Sequence, residues 1–301
     1  MDFRTAIEDF LQGLKLEHGL SGNSISAYRS DLTELHSSLQ TNVPDKVKSA
    51  DLNKYFKHLS GLGRKPATLA RKLSAAKRFF DHLIERGVMI GNPAAGYRAP
   101  KIARYHPDYL SVEEIERILV VADLDPKLAL RDRAVIELLY GCGLRISELL
   151  DLKIGSLEFE AGFIKVTGKG NKQRLVPLGE FAREAAEKYL DSPERAGFPS
   201  DSSRYLLVNG RGKKFSRVGM WKAIRRLVVR AGITKAVTPH TFRHSFATHL
   251  LAGGADLRAV QEMLGHADIS TTEIYTQVDQ GYIVAEHRRH HPRELAGFRR
   301  R

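Results

Sequence analysis

Thr238-Pro-His240-Thr-Phe-Arg243-His-Ser-Phe-Ala-Thr-His249, a short apolar run, and then Leu264-Gly-His266-Ala-Asp-Ile-Ser-Thr-Thr-Glu-Ile-Tyr275 is the stretch around which this chain is organised. Thr238 suits a helix N-cap and Pro239 the first helical position. His240 and Arg243 then stand three residues apart in the opening turns, so they share one face. A helix start with unpaired N–H groups favours an anion, and arginine adds a planar fork matched to phosphate oxygens. A surface arginine beside a capping histidine would look the same in isolation. What distinguishes the two readings lies elsewhere in the chain.

A chain of 301 residues is long for a single core and fits two domains. Its formal charge of +13 favours a polyanionic partner, with nucleic acid foremost. No apolar run is long enough to cross a bilayer, and the N-terminus opens directly into an amphipathic pattern, with no targeting segment expected. Cys142 is the only cysteine, which excludes an internal disulfide and suits a cytoplasmic protein.

Residues 1–92 read as a helical domain. Phe3, Ile7, Phe10, Leu11 and Leu14 keep a helical period, as do Ile25, Tyr28, Leu32, Leu35 and Leu39. A shorter helix is expected around Asp51–Leu59 and a fourth from Pro66. The outer surface of the fourth is expected to present Arg64, Lys65, Arg71, Lys72, Lys77 and Arg78, nearly all of one sign, to a DNA backbone. Residues 93–108 mix Pro, Gly and basic side chains without period and read as a linker. Ser111-Val-Glu-Glu114 is a capping-box signature that opens the second domain, 109–286. That domain is predicted to be helical with a small antiparallel β-sheet: Leu157–Phe159, Phe163–Val166 and Arg174–Leu178 alternate as strands. The glycine-rich turn Gly168-Lys169-Gly-Asn-Lys172 holds a lysine at its tip. Residues 287–301 are expected to form a basic tail outside the core.

Arg145, Lys169, His240, Arg243, His266 and Tyr275 are the residues whose chemistry combines. Phosphoryl transfer needs alignment and charge neutralisation more than covalent help. Paired arginines can clamp the non-bridging oxygens, histidine moves protons near neutrality, and a lysine on a turn can protonate a leaving oxygen. Tyrosine attack would store the bond energy in a phosphotyrosine, which a second DNA end reverses without ATP. Metal chemistry has little support: His240 and His244 lack an H-E-x-x-H frame, and no Walker A motif is present. No cofactor is expected. Cys142 reads as a buried inert thiol, Trp221 as a packing residue, and Glu148 as an orienter of Arg145.

Gly143-Leu-Arg145-Ile-Ser-Glu148-Leu, Gly168-Lys169-Gly-Asn-Lys, Pro239-His240-Thr-Phe-Arg243-His-Ser-Phe-Ala-Thr-His and Leu264-Gly-His266 through Ile274-Tyr275-Thr together resemble the tyrosine recombinases, specifically the Xer site-specific recombinases. They span the second domain in the family's order; the helical first part resembles the family's core-binding domain less specifically. The resemblance implies a C-shaped DNA clamp of core-binding and catalytic domains. It implies that Tyr275 takes the 3′-phosphate, that Arg145 and Arg243 bind it, that His240 and His266 assist, and that Lys169 is the general acid. It also implies a homo- or heterotetramer with a second recombinase on two duplexes, working through a Holliday junction, with an FtsK-type DNA translocase as a further candidate partner. The C-terminal segment of family members docks on a neighbouring protomer. Resolution of chromosome or plasmid dimers is the implied task; an integrase of a mobile element, a relaxing topoisomerase or a non-catalytic DNA-binding protein are the alternatives.

Overall fold

The apolar period at the start of the chain is a helix, α1 (Phe3–Leu16), whose first turn is capped by the Asp2 carboxylate accepting from Thr5 N–H. The computed structural model describes residues 1–17, 20–98, 108–168, 173–198, 205–265 and 277–295, and divides at Tyr105/His106 into two compact units. In the first unit α1 packs on α2 (Gly22–Ser38) and α4 (Pro66–Glu85), with α3 (Ser49–Gly61) against α4. Phe3, Leu32, Leu35, Leu52, Phe79, Phe80 and Leu83 are fully buried at their meeting. Each such side chain contributes about 1.5–3 kcal/mol through loss of apolar surface to water.

The basic set on α4 is not the uniform outer face that the sequence predicts. Arg64 and Lys65 precede the helix, exposed in the turn before Pro66. Lys72 is buried and donates to Asp31 Oδ1 at 2.8 Å and Glu34 Oε2 at 2.9 Å. It lies one position from Leu73 on the inward stripe, and the carboxylates of α2 make that burial tolerable. Arg71 also pairs with Asp31. Lys77 donates to the Tyr97 carbonyl at 2.7 Å, and Arg78 to the Tyr28 hydroxyl at 2.9 Å.

In the second unit Ser111 and Glu114 form the expected reciprocal cap at the start of α5 (Val112–Ala122). The centre is α6 (Ala129–Gly141), enclosed by α5, α8 (Glu180–Leu190), α10 (Arg217–Arg230) and α11 (Pro239–Ala252). Its sequence has no polar face because little of it meets water; Ile136, Leu138, Leu139 and Tyr140 are all buried. The short α7 (Ile146–Asp151) follows, then an antiparallel sheet in the order β1 (Leu157–Glu158), β2 (Phe163–Thr167), β3 (Gln173–Pro177). Thr167 pairs with Gln173 at the mouth of the lysine-bearing turn. The remaining helices are α9 (Pro193–Ala196), α12 (Leu257–Leu264) and α13 (Gln277–His290). Cys142 is fully buried as expected, whereas Trp221 is 39 % exposed under Arg225 and is no core residue.

The basic end of the chain corrects a second expectation. His287, His291 and Arg293 are buried in the second unit. Charge alone suggested solvent, but the histidines are neutral and the arginine is paired. His287 donates from Nε2 to the Gly141 carbonyl at 2.8 Å and stacks on His291 at 4.8 Å between ring centres. His287 Nδ1 and His291 Nε2 are buried and find no hydrogen-bond partner among the described residues. Burial pushes the His287 imidazole down to about 4, a direction that the Arg288 charge reinforces and the Gly141 carbonyl opposes. Its folded pKa lies below the ordinary value of 6.5, so the unfolded chain takes up the proton first as pH falls. Stability is therefore lost on acidification between these values. From pH 7 to 5 His287 alone is expected to cost about 2 kcal/mol. Thermal melting against pH checks this, and His287→Gln should flatten the slope.

Candidate active site

Gly143 and Arg145 are brought together by a turn that only glycine fits. Gly143 has φ of 61°, and an added Cβ would stand 2.5 Å from the Phe246 ring of α11. The turn delivers Arg145 to the start of α7 in extended backbone, and Glu148 one turn later accepts its backbone N–H at 2.8 Å. The same carboxylate accepts from Arg145 Nη1 at 2.8 Å, while Arg145 Nη2 donates to the Gly265 carbonyl at 3.2 Å. The orienting role read for Glu148 is thus a matter of geometry. The Arg145 side chain remains 35 % exposed, which leaves it a face for a ligand.

Arg243, from the first turns of α11, is buried and lies 3.8 Å from Glu148 Oε2. It donates to the Gly143 carbonyl at 2.7 Å and to the Leu264 carbonyl. Burial pushes its guanidinium down to about 9, and the neighbouring charge of Arg145 adds to this against the pull of Glu148. Arg145 and Arg243 share the single Glu148 carboxylate, so the cluster carries net positive charge, the condition under which an anion is held. His240 is exposed on the same helix, at the spacing that places it on the Arg243 side. Lys169, His266 and Tyr275 lie outside the described residues. In the chain β2 and β3 flank the segment that holds Lys169, and Gly265, whose carbonyl accepts from Arg145, immediately precedes His266.

One participant was missed from the sequence. Arg174, on β3, is buried and donates to Glu148 from Nη1 at 2.6 Å and Nη2 at 3.0 Å, and from Nε to the Met263 carbonyl at 3.0 Å. The available signal was strand alternation: Arg174 shares the inward face with Val176. Burial would raise the Glu148 carboxyl, but Arg174 and Arg145 pull it down to about 2, so it is ionised throughout the working range. Among the described residues no group of histidine, cysteine and carboxylate side chains is arranged to hold a metal, and no helix is long and apolar enough to cross a membrane.

Comparison with known proteins supplies the context for this cluster. Residues 108–281 match the phage integrase family and residues 7–87 the N-terminal SAM-like domain of phage integrases. Tyrosine recombinase XerD of Oceanobacillus iheyensis is 42% identical over 294 residues, covering 96% of this chain and 98% of that protein. Tyrosine recombinase XerD of Chlorobaculum tepidum is 40% identical, covering 97% of each. The Tn1549 transposon integrase in complex with circular intermediate DNA is 21% identical, with a TM-score of 0.72 over 91% of this chain and 97% of that one. A lambda integrase dimer bound to a COC′ core site is 18% identical, with a TM-score of 0.71 over 91% of this chain and 100% of that one. These two share the mainly helical fold with its small antiparallel sheet. The chain belongs to the phage integrase family: it is a site-specific tyrosine recombinase, an enzyme that cuts and rejoins DNA.

Proposed function

We propose that this recombinase acts as a Xer-type enzyme, resolving chromosome or plasmid dimers in the cytoplasm, with Tyr275 as its nucleophile. The observation that carries the reading is the cluster of Arg145 and Arg243 around one carboxylate, which leaves it net positive. A phosphodiester supplies one negative charge, and the transition state a second, so the cluster is complementary to the reacting group rather than to the resting protein. Tyr275 Oη attacks phosphorus, its proton passing to His266 or solvent, and the bond from phosphorus to the 5′ oxygen breaks. Lys169 gives that oxygen its proton, and a 3′-phosphotyrosine remains. A 5′-hydroxyl from a second duplex reverses the step and, repeated on the other strand pair, passes the complex through a Holliday junction. His240 donates to the phosphate.

On this reading residues 1–92 contact DNA through the exposed members of the basic set, Arg64, Lys65, Arg71 and Arg78. The assembly is a tetramer on two duplexes, formed with identical copies or a second recombinase, and a DNA translocase of the FtsK type is its candidate activator. Near full-length likeness to proteins named tyrosine recombinase XerD favours this task over that of a mobile-element integrase.

Covalent trapping on a nicked duplex carrying candidate recombination sites tests the chemistry. The wild type, with a second recombinase where needed, should give a denaturation-resistant adduct on the 3′ end, and Tyr275→Phe should give none. An adduct that survives in the Phe variant, or one on the 5′ end, overturns the assignment.

A further inference from the structure

We propose that Arg174 is a positioning residue for DNA cleavage, holding the Glu148 carboxylate in the one orientation that sets Arg145 for the phosphate. The proposal rests on the reading of Arg145 and Arg243 as the phosphate clamp. Glu148 Oε1 accepts from Arg174 Nη1 at 2.6 Å and Arg145 Nη1 at 2.8 Å; Oε2 accepts from Arg174 Nη2 at 3.0 Å and the Arg145 backbone N–H at 2.8 Å. The lone pairs of the carboxylate are thus divided evenly between the two arginines. Arg174 takes the fixed half: its side chain is 7 % exposed, against 35 % for Arg145.

The fork of Arg174 is therefore committed within the protein and its contribution passes through Glu148. The two-point bond from the buried Arg174 fixes the plane of the carboxylate independently of Arg145; without it, the carboxylate is held only by the partly exposed Arg145 and moves with it. A carboxylate held by Arg145 alone gives that guanidinium no fixed reference, and its orientation towards the phosphate is loosened. Arg174 also ties three elements that carry the proposed chemistry. It stands on β3, opposite Val166 in the hairpin whose turn holds Lys169. Its Nε–H reaches the Met263 carbonyl in the last turn of α12, just before His266. Gly265 packs directly on it, since an added Cβ there would lie 2.7 Å from Arg174 Cδ.

The test is single-turnover cleavage of the nicked duplex at saturating protein, run beside duplex affinity and thermal melting, for Arg174→Lys, Glu148→Asp and Arg145→Ala. Arg174→Lys keeps the buried charge but cannot make the two-point bond and also reach Met263. Its cleavage rate should fall about 30-fold, while affinity for the duplex changes less than about three-fold. Glu148→Asp draws the carboxylate back by one methylene, leaves Arg174 in place, and should fall similarly; it stands in if the lysine variant does not fold. Wild-type cleavage by either folded variant overturns the proposal, as does a fall matched by equal loss of DNA affinity or of folded protein. Arg145→Ala separates this from the underlying reading. If it cleaves normally, the clamp assignment fails; if it is inactive while Arg174→Lys cleaves normally, only the role of Arg174 falls.

Discussion

Arg243→Lys is expected to slow single-turnover cleavage about 10³-fold while leaving duplex affinity within about three-fold of wild type. The expectation follows from what the guanidinium does in the resting protein. Two of its N–H groups are held by the Gly143 and Leu264 carbonyls, one from the turn before Arg145 and one from the end of α12. Its orientation is thereby settled before DNA arrives, and little freedom is lost on reaching the transition state. Lysine carries the same charge on a single ammonium, which cannot satisfy both carbonyls and still meet two phosphate oxygens. Ground-state attraction to DNA is spread over many basic groups and barely changes, but the donors aimed at the developing charge are lost. Rapid-quench cleavage with excess protein measures the effect, with Tyr275→Phe as the zero. A loss below about ten-fold would mean that Arg243 supports the fold and not the reaction.

Part of this arrangement was legible in the sequence because its signals are local. The cap of α5 and the helix opening at Thr238–Arg243 each follow from residue types within a few positions. Glu148 could be tied to Arg145 because three residues separate them at a helix start. Arg174 could not, because it meets Glu148 only when a strand folds over α7, and nothing in a strand's alternation says what faces an inward arginine. Lys72 failed for the converse reason. A basic residue on a helix is read as solvated unless its carboxylate partners are visible, and here they come from α2, 41 and 38 positions away. The end of the chain was misjudged on the same ground, since Glu137 lies 156 positions before Arg293.

That last pair sets the second large effect. Arg293→Ala is expected to destabilise the second unit by about 3–5 kcal/mol, enough to remove a large part of an ordinary domain's stability. Arg293 donates from Nε to Glu137 Oε2 at 3.1 Å and from Nη2 to Oε1, with its guanidinium carbon 3.8 Å from the Phe181 ring centre. Glu137 is fully buried in α6, and burial pushes its carboxyl upward against the pull of Arg293. Without Arg293 the charge is left in the core with Arg133 at 3.8 Å as its nearest remaining counter-ion among the described residues, so it must protonate or draw water inward. Removing both charges is a different matter: Glu137→Met with Arg293→Met should recover most of the loss, because a buried pair returns little beyond its own desolvation. Denaturant unfolding of Glu137→Met, Arg293→Met and the double gives the cycle, and a loss under about 1 kcal/mol in Arg293→Ala would show that the pair is not a structural anchor. On the proposed assignment of Tyr275, the anchor bears on cleavage through its place in the chain. The stretch carrying Tyr275 begins after Gly265, which is bonded to Arg145, and ends at α13, whose last turn and following residues are locked to α6 by His287 and Arg293. Loosening the second end should therefore lower the rate of adduct formation even under conditions where the Arg293 variant is still fully folded.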